Sequence, residues 1–293
     1  MLHLFGNFVT SRGIAGNYRG ESKGNLAPLQ TVSWHGQKHT IVSAEAMRFA
    51  FRYYLQLINE SVNRVFDADA KPIPTWHFKG KHDEHQYSDD DTLGYMTTEA
   101  AKQEKSEEGS ITRTKGKTTA RKSALEMGIA LSTTPYQNDR MFHASSGEKD
   151  STSIYINEIH ETCYQVSFTV TPNHLSVKSR IFPTLDGLIS LPRVAGNHSR
   201  SLYDFSPDSI VLRWTHDPCP RFFYCFQEDE EGNITAPKLL DKINRGDIDP
   251  SELWIGGPIV ETLEGVETNL FPGVKLAVAA LKERIESDLG LSE

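Results

Sequence analysis

The chain has 293 residues, 38% of them hydrophobic, and a formal net charge of −8. This length and apolar content suffice for a real core, which predicts a globular protein of one large or two ordinary domains. The longest apolar runs fall far short of the ~18 residues that span a bilayer, and the first residues lack the basic start of an export signal. Three cysteines without a Cys-x-x-Cys pair argue against a disulfide framework, so a cytoplasmic location is predicted.

Charge is unevenly distributed along the sequence. Acidic residues concentrate at 83–91 and 228–231, whereas basic residues gather near the start, between 102 and 122, and around 193–200. A negative net charge by itself argues against a polyanionic partner, because nucleic-acid binding draws on positive potential. The uneven distribution still leaves room for a locally basic face on an acidic protein.

The first predicted elements are a strand and a long helix. Residues 2–10, LHLFGNFVT, alternate loosely with aromatic and β-branched members, as strands do. A loop rich in glycine, asparagine and arginine follows at 11–24, and Ser43 then has the character of an N-cap for a helix over about 44–64. Apolar residues at helical spacing predict the buried face of this helix: Ala46, Phe49, Ala50, Tyr53 and Leu57.

Two arginines of this helix are four residues apart. Arg48 and Arg52 share a face away from the predicted apolar stripe, in the N-terminal half of the helix. One interpretation is an ordinary solvated surface. The other is an anion site, because free backbone N–H groups, the helix dipole and two guanidinium groups all favour a phosphate.

The character of the sequence changes over 67–158. This segment is polar and includes AAKQEKSEEGSITRTKGKTTARKS, which is nearly free of large apolar residues and predicts a mobile, protruding insertion with its tip near 100–120. His77, His82 and His85 lie within it, but their spacing matches no standard metal-ligand motif. A polar surface loop is therefore favoured there over a metal site, and no metal or other cofactor is predicted.

The second half of the chain predicts more strands and a last helix. Strands are indicated at 162–170, 209–214 and 221–226, and the turn-rich segment between the last two suggests a hairpin. From Pro272 a helix is predicted with an apolar face of Val274, Leu276, Ala277, Ala280, Leu281 and Ile285. The order of elements predicts an α+β fold with helices on one side of a mainly antiparallel sheet.

Two loops carry the residue types that grip a phosphodiester backbone. They are SRGIAGNYRG at 11–20 and VAGNHSRS at 194–201, the latter preceded by Arg193. Glycines allow close backbone approach, while arginines and amide or hydroxyl groups donate to phosphate without reading bases. Either loop alone would be an ordinary surface turn.

Motifs for catalysis are missing from the sequence. It has no G-x-S-x-G elbow, no G-x-x-x-x-G-K-[ST] phosphate loop and no G-x-G-x-x-G after a strand. Catalytic groups can also be assembled in space from distant positions. A metal- or histidine-dependent ribonuclease that uses His198, or the histidines between 77 and 85, therefore stays an alternative hypothesis.

Four segments taken in order resemble one known family. They are GNYRGESKGNLAPLQTVSWHG, HTIVSAEAMRFAFRYYL, LPRVAGNHSRSLYDFSPDSIVLRWTHDPCPRFFYCF and LWIGG. Their order and spacing resemble the DevR-type backbone subunit, of the RAMP superfamily, in type I CRISPR Cascade surveillance complexes. The resemblance runs from about 5 to 275 and is weakest in the insertion.

This resemblance implies a fold and an assembly. It implies an RNA-recognition-motif-like (ferredoxin-like) palm formed by 1–66 and 159–293, a finger-like insertion at 67–158, and a thumb-like hairpin within about 171–204. Several copies of the chain would line up along a CRISPR guide RNA (crRNA) with other Cascade subunits, in a ribonucleoprotein for antiviral defence. Each copy would hold the RNA backbone and leave most bases free to pair with target DNA.

The loops and the resemblance together assign residues to RNA contact. They are Arg12, Asn17, Arg19, Ser43, Arg48, Arg52, Arg193, Gly196, Asn197, His198 and Arg200. Related subunits that cleave RNA use an aspartate in the first loop, whereas this sequence has no aspartate from Met1 to Phe66. The resemblance therefore implies a non-catalytic subunit. An autoregulatory role is suggested only by the family label, since no helix-turn-helix is recognisable.

Overall fold

A computed structural model describes most of the chain. The described residues are 1–16, 24–67, 69–70, 75–99, 103–105, 111–113, 117–144, 154–192, 194, 202–263 and 265–291. No helix among them is long and apolar enough to cross a lipid bilayer.

Eight strands form the central sheet. In chain order they are β1 His3–Thr10, β2 Thr31–Trp34, β3 Gln37–Val42, β4 Leu125–Ser132, β5 Tyr164–Val170, β6 Pro207–Thr215, β7 Leu253–Gly256 and β8 Asn269–Phe271. In space the order is β8-β7-β6-β1-β5-β4-β3-β2, and every neighbouring pair is antiparallel except β7 with β8. The predicted mixed α+β class is thereby confirmed.

Within the described residues, five helices pack on this sheet. They are α1 Ala44–Leu57, α2 Ser88–Leu93, α3 Ile181–Leu188, α4 Pro237–Asn244 and α5 Val274–Leu289. Helices α1, α3 and α5 share one core with side chains such as Phe8 and Phe168 of the sheet, while α4 packs into a second core that contains Phe5 and Val211. Helices therefore lie on both faces, and not on one face only, because alternate residues of β1 and β6 are apolar on both sides.

Helix α1 begins where the sequence predicts and buries a different face. The Ser43 side chain accepts the Ala46 N–H at 3.3 Å, which confirms the predicted N-cap. The helix ends at Leu57 and not at 64, because Asn59 takes a positive φ of 61°. Its buried residues are Met47, Ala50, Phe51 and Leu55, whereas Leu57 is 55% exposed. Of the predicted apolar stripe, Ala50 is therefore buried in the core, whereas Phe49, Tyr53 and Leu57 are not.

The predicted hairpin of 209–214 with 221–226 is wrong. Arg221 and Tyr224 adopt positive φ values of 64° and 52°, which no strand accommodates. Strand β6 pairs instead with β1 and β7. Phe222, Cys225 and Phe226 are buried in the second core, where the Gln165 side chain bonds both the N–H and the carbonyl oxygen of Phe226.

Smaller strand pairs surround the sheet. They are Gly13–Ala15 with His160–Thr162, Ile154–Glu158 between Leu26–Ala27 and Arg140–Ala144, Arg64–Asp67 with Thr75–Phe78, Tyr95–Glu99 with Lys117–Arg121, Gln103–Lys105 with Ile111–Arg113, and Gln227–Glu228 with Ile234–Thr235. Short 3-10 turns occupy Pro172–His174, Lys178–Arg180, Pro250–Glu252 and Pro258–Leu263.

Two observations bear on the predicted palm, fingers and thumb. Strand β4 lies inside the predicted insertion 67–158 and yet belongs to the central sheet, between β5 and β3. Within 171–204, the described residues form two 3-10 turns and α3, with no strand; 193 and 195–201 lie outside the described residues. The boundaries of these units stay predictions.

Candidate nucleic-acid interface

The hairpin Arg64–Asp67/Thr75–Phe78, called here the aromatic hairpin, packs on the outer side of α1. Phe66 and Trp76 are paired across it and contact Phe49 of α1, with ring centroids 5.1 to 5.3 Å apart. Tyr53, one turn further along α1, packs edge-on to Phe66 at 5.7 Å. Phe49 and Tyr53, which sequence periodicity assigned to the core, therefore form the contact of α1 with this hairpin.

Helix α2 contains three consecutive buried aspartates, 89–91. Their hydrogen bonds connect the aromatic hairpin to α1. Asp89 accepts the backbone N–H groups of Asn63 and Arg64 at 2.7 and 3.1 Å, and also Nε of Arg52 at 3.1 Å. Asp90 accepts the Asn63 side chain at 2.9 Å. Buried carboxylates require several donors, and these contacts supply them.

An arginine cleft of about 330 Å³ opens between these elements. Arg48 and Arg52 enter it from α1, and Arg64 enters it from the first residue of the aromatic hairpin. Its other wall contains Phe78 of the hairpin together with Met96. The cleft thus combines three guanidinium groups with exposed apolar surface.

The three arginines differ in their pairing. Arg52 is bound to Asp89 and lies 5.5 Å from the Trp76 ring centroid, with only 12% of its side chain exposed. Arg48 donates to the Leu93 carbonyl oxygen at 2.6 Å, and Arg64 lies 4.9 Å over the Phe78 ring. Among the described residues, no carboxylate is within ion-pairing distance of Arg48 or Arg64.

Like charges therefore face one another in the cleft. Burial lowers the pKa of Arg48, and the Arg64 guanidinium lowers it further, while Glu45 on the rim opposes the shift. Arginine stays charged nonetheless, because its ordinary pKa is far above neutrality. Glu45 offsets part of the Arg48 charge, but neither guanidinium group has a direct ion pair among the described residues, and phosphate matches their planar donor geometry.

The predicted loop residues have different outcomes. Arg12 forms an ion pair with Glu228, so its charge is compensated within the chain. The other loop candidates lie outside the described residues and stay predictions: Asn17, Arg19, Arg193, Gly196, Asn197, His198 and Arg200.

The ends of the two predicted loops meet at one edge of the sheet. Tyr203, which follows the second loop, shares a hydrogen bond of 2.6 Å with Thr10, which precedes the first loop. Its hydroxyl also donates to the Thr162 carbonyl oxygen at 3.0 Å. Gly13 packs beneath the Tyr203 ring, where an added Cβ would come within 3.2 Å of the ring. Sequence reasoning treated the two loops separately, and folding brings their ends together.

A buried histidine lies behind these loop ends. His160 is 4% exposed, and its ring nitrogens contact the hydroxyls of Thr40 and Thr134 at 2.7 and 3.3 Å. Burial lowers the pKa of His160 from 6.5 to about 4; a hydrogen bond with the backbone of Pro135 opposes this shift, and His39 adds to it. The folded protein therefore holds His160 in its neutral form at neutral pH.

This histidine predicts a loss of stability in mild acid. The unfolded chain binds a proton at His160 near pH 6.5 and the folded chain only near pH 4, so stability falls as pH decreases between these values. The expected loss is on the order of 3 kcal/mol, at about 1.4 kcal/mol per pKa unit. Chemical denaturation at a series of pH values measures it.

The matched variants are His160→Gln and His85→Gln. His160→Gln is expected to flatten the pH dependence, and His85→Gln, at an exposed position, is expected to leave it unchanged. An equal pH dependence in wild type and His160→Gln would contradict the assignment. Direct observation of a His160 ring resonance that titrates near pH 6.5 in the folded protein would do the same.

Two histidines of the predicted insertion, His82 and His77, have individual carboxylate partners. His82 Nδ1 contacts Asp90 at 2.8 Å, and His77 Nε2 is 3.7 Å from Asp67. Across the part of the chain that the structure describes, no three His, Cys, Asp or Glu side chains are arranged to hold a metal ion. Cys163 is buried, which raises its pKa to about 11, as expected for a core residue.

Comparison with known proteins places the chain in a family. Residues 10–213 match the family described as "CRISPR-associated negative auto-regulator DevR/Csa2". A protein of Myxococcus xanthus (strain DK1622) named "CRISPR-associated protein Cas7/Cst2/DevR" is 40% identical over 290 residues, which cover 94% of this chain and 93% of that protein. The chain belongs to the DevR/Csa2 family. The resemblance carried by the four sequence segments is thereby confirmed.

The fold of this DevR/Csa2 chain also resembles solved structures. One is a chain of a "CRISPR RNA-guided surveillance complex, pre-nicking", with a TM-score of 0.63 and 10% identity over 97% of this chain and 100% of that chain. Another is a chain of a "CRISPR RNA-guided surveillance complex", with a TM-score of 0.56 and 13% identity over 96% and 99% of the two chains. At these identities the likeness concerns the fold alone.

Several residues of the cleft in this DevR/Csa2 chain were missed from the sequence. They are Arg64, Phe78, Tyr95 and Met96. The alternation of RVFD and TWHF was the available signal, because a period of two predicts a hairpin with Arg64, Phe66, Trp76 and Phe78 on one face. That signal was hidden by the polar composition of the surrounding insertion.

Proposed function

We propose that this DevR/Csa2 protein is a non-catalytic backbone subunit of a crRNA-guided CRISPR complex. It holds the guide RNA by its phosphates and leaves bases free to pair with target DNA. One observation carries the proposal: Arg48 and Arg64 share a cleft and have no carboxylate of the described residues at ion-pairing distance. Family membership supports the same role, and the Myxococcus relative carries a CRISPR-associated name.

Arginine contacts of this kind suit a guide that changes sequence. Guanidinium groups bind phosphates whatever the neighbouring base, so the grip is independent of sequence, and specificity passes to base pairing. The net charge of −8 makes strong binding by one isolated copy unfavourable. Several copies that bind along one strand overcome this weakness, because each bound copy raises the effective concentration of the next contact.

The order of strands in the sheet supports a proposed division of the chain. The central sheet with α1, α3 and α5 is the RNA-recognition-motif-like palm, and β4 belongs to it. The fingers comprise the rest of 67–158, and the thumb is the segment around VAGNHSRS. Further copies of the chain and other Cascade subunits are the proposed protein partners, in the cytoplasm.

Purification with bound RNA tests the proposal. The protein is expressed together with a CRISPR array and its partner subunits, and the RNA that co-purifies is sequenced. The expected result is short RNAs with a common repeat-derived end and varied middles, at several protein copies per RNA.

A folded, monomeric protein that carries no RNA under these conditions would overturn the proposal. Recovery of cleaved RNA, with cleavage abolished by His198→Ala, would instead favour the ribonuclease hypothesis. Expression of the array without this protein is the control, since it identifies RNAs that the other subunits retain by themselves.

A further inference from the structure

An acidic hairpin lies beside the start of the first predicted RNA loop. It consists of the strands Gln227–Glu228 and Ile234–Thr235 and the turn between them, and its sequence QEDEEGNIT contains four acidic residues in succession. Glu228 forms an ion pair with Arg12, the second residue after β1. Arg12, a predicted RNA contact, is therefore paired with a carboxylate of its own chain.

The turn of the acidic hairpin is held by its own hydrogen bonds. The carboxylate of Asp229 accepts the backbone N–H groups of Glu231 and Asn233 at 3.1 and 2.7 Å. The N–H of Gly232 donates to the Asp229 carbonyl oxygen at 3.1 Å, and the turn requires its positive φ of 86°. Phe226, directly before the hairpin, is buried in the second core. The hairpin is thus ordered without RNA, so the ion pair of its first strand costs little conformational entropy.

Both oxygens of the Glu228 carboxylate have donors. Oε1 accepts from Nη2 of Arg12, and Oε2 accepts from the Thr133 hydroxyl at 3.1 Å. The Glu228 side chain is 12% exposed and that of Arg12 is 36% exposed, so solvent screens this pair less than a fully exposed one. Burial lowers the pKa of Arg12, but the hydrogen bond and the charge of Glu228 oppose this, and the net shift is upward. The pair therefore stabilises the charged arginine in place of an external anion.

Further carboxylates surround Arg12. Glu161, in the strand that pairs with Gly13–Ala15, adds to the upward shift of the Arg12 pKa. Asp208 accepts a hydrogen bond from the residue before Arg12 at 3.1 Å. The acidic residues 230–231 are exposed in the turn of the hairpin. A phosphate that binds Arg12 must therefore displace Glu228 against the repulsion of neighbouring negative charges.

We propose that Glu228 is an autoinhibitory competitor for Arg12: it pairs with the arginine in the free subunit and is displaced when an RNA phosphate binds there. The proposal rests on the RNA-binding function proposed above and adds a control to it. A single copy loses affinity to this exchange. Several copies on one strand compensate, because each bound copy raises the effective concentration of the next contact. RNA bound by one copy alone is thereby disfavoured relative to a guide RNA bound by the whole assembly.

Removal of the Glu228 charge tests the proposal. The affinity of the purified protein is measured by fluorescence anisotropy with a fluorescein-labelled oligouridylate of about 30 nucleotides, several times the span of a small single-strand-binding domain. Glu228→Gln is expected to raise this affinity about fivefold, the effect of one ion pair at the upper end of the range for surface pairs. Glutamine keeps an oxygen that can accept from Thr133, so the hairpin is expected to stay folded, and thermal unfolding checks this.

Two matched comparisons separate the ion pair from general charge repulsion. Glu230→Gln combined with Glu231→Gln removes two charges from the turn and leaves the partner of Arg12 in place, so its gain in affinity is expected to stay below about twofold, as for screened exposed charges. In an Arg12→Gln background, Glu228→Gln is likewise expected to change affinity by less than about twofold, because no arginine is released. This double-mutant cycle isolates the contribution of the pair.

The outcomes distinguish autoinhibition from the general function. A gain in affinity that requires Arg12 supports the proposal. If neither wild type nor Glu228→Gln binds the oligouridylate and no RNA co-purifies, the proposed function fails, and autoinhibition fails with it. If wild type carries RNA and Glu228→Gln binds no more tightly, only autoinhibition is overturned. An equal gain from the two turn substitutions, or an undiminished gain in the Arg12→Gln background, would also overturn it, since either would indicate general repulsion.

Discussion

Asp91→Ala is expected to lower the free energy of unfolding by about 3–5 kcal/mol, the range for a buried ion pair from which one partner is removed. Asp91 is fully buried and accepts from Arg121 at 2.5 Å and from Arg180 at 2.9 Å. It also accepts the backbone N–H groups of Ser176 and Val177 at 2.8 and 3.1 Å. Without the carboxylate, the Ser176 and Val177 N–H groups lose their side-chain acceptor, Arg180 loses its ion pair, and Arg121 keeps only the 3.4 Å ion pair with Glu84.

Equilibrium unfolding in urea, followed by tryptophan fluorescence, measures this effect. The matched control is Asp241→Ala, because Asp241 forms an exposed ion pair with Arg245 on α4. Exposed pairs contribute at most about 1 kcal/mol, so the control is expected to stay near wild type. Similar destabilisation in the two variants would contradict the assigned role of Asp91. Asp91→Asn keeps the shape without the charge and is expected to fall between wild type and Asp91→Ala.

Helix α2 connects separate parts of the chain. A large loss of stability is therefore expected for Asp91→Ala. Asp89 holds the start of the aromatic hairpin, Asp90 holds the segment that contains His82, and Asp91 holds the 3-10 turns before α3. Each carboxylate is hydrogen-bonded to protein donors and not to water. A donor that is removed is therefore not replaced by a water molecule. Substitution of one of these aspartates is therefore expected to disorder the arginine cleft as well as to destabilise the fold.

Arg48→Ala combined with Arg64→Ala is expected to weaken guide-RNA binding about 100-fold. A hydrogen bond to a charged group contributes about 1.5 kcal/mol or more, which corresponds to about tenfold for each arginine. The effect is expected to be equal for guides of unrelated sequence, since phosphates are identical in all of them. For a single strand, the slope of log affinity against log salt is expected to decrease in magnitude by about 0.7 for each phosphate that the variant no longer neutralises.

Titration of two guides with unrelated sequences, at several salt concentrations, measures both quantities. Arg245→Ala is the control, because this arginine is 69% exposed at the C-cap of α4, which packs into the second core on the other face of the sheet. Weakened binding confined to one guide, or an unchanged salt slope in the double variant, would contradict phosphate binding by the cleft. Arg52→Ala is less suitable, because it leaves buried Asp89 without its cation and disturbs the fold.

Local features of the fold were predictable because their causes are local. Ser43 caps α1 through a bond to a residue three positions ahead, and the alternation of residues 2–10 yields β1 at His3–Thr10. The last helix was expected from Pro272 and begins at Val274. Caps and periodicity act within one or two turns, so the sequence contains all that is needed to recognise them.

The buried face of α1 was not predictable in this way. Phe49 and Tyr53 match helical spacing as well as Met47 and Phe51 do, since α1 is apolar on two sides. One side contacts the sheet, and the other contacts the aromatic hairpin, which begins only at residue 64. Which stripe enters the core depends on the elements that cover each side, and these come from distant positions.

The sequence by itself determined the family, the mixed α+β class and the start of α1, because ordered motifs and local periodicity carry that information. It also supplied Arg48 as a candidate for anion binding. Tertiary structure decided that the aspartates 89–91 are buried and that Arg64 and Phe78 join Arg48 in one cleft. A charged carboxylate is stable in the interior only where donors from distant positions contact it. Two arginines can bind an anion only where the fold places no carboxylate next to either of them. Such conditions depend on contacts between residues far apart in the chain.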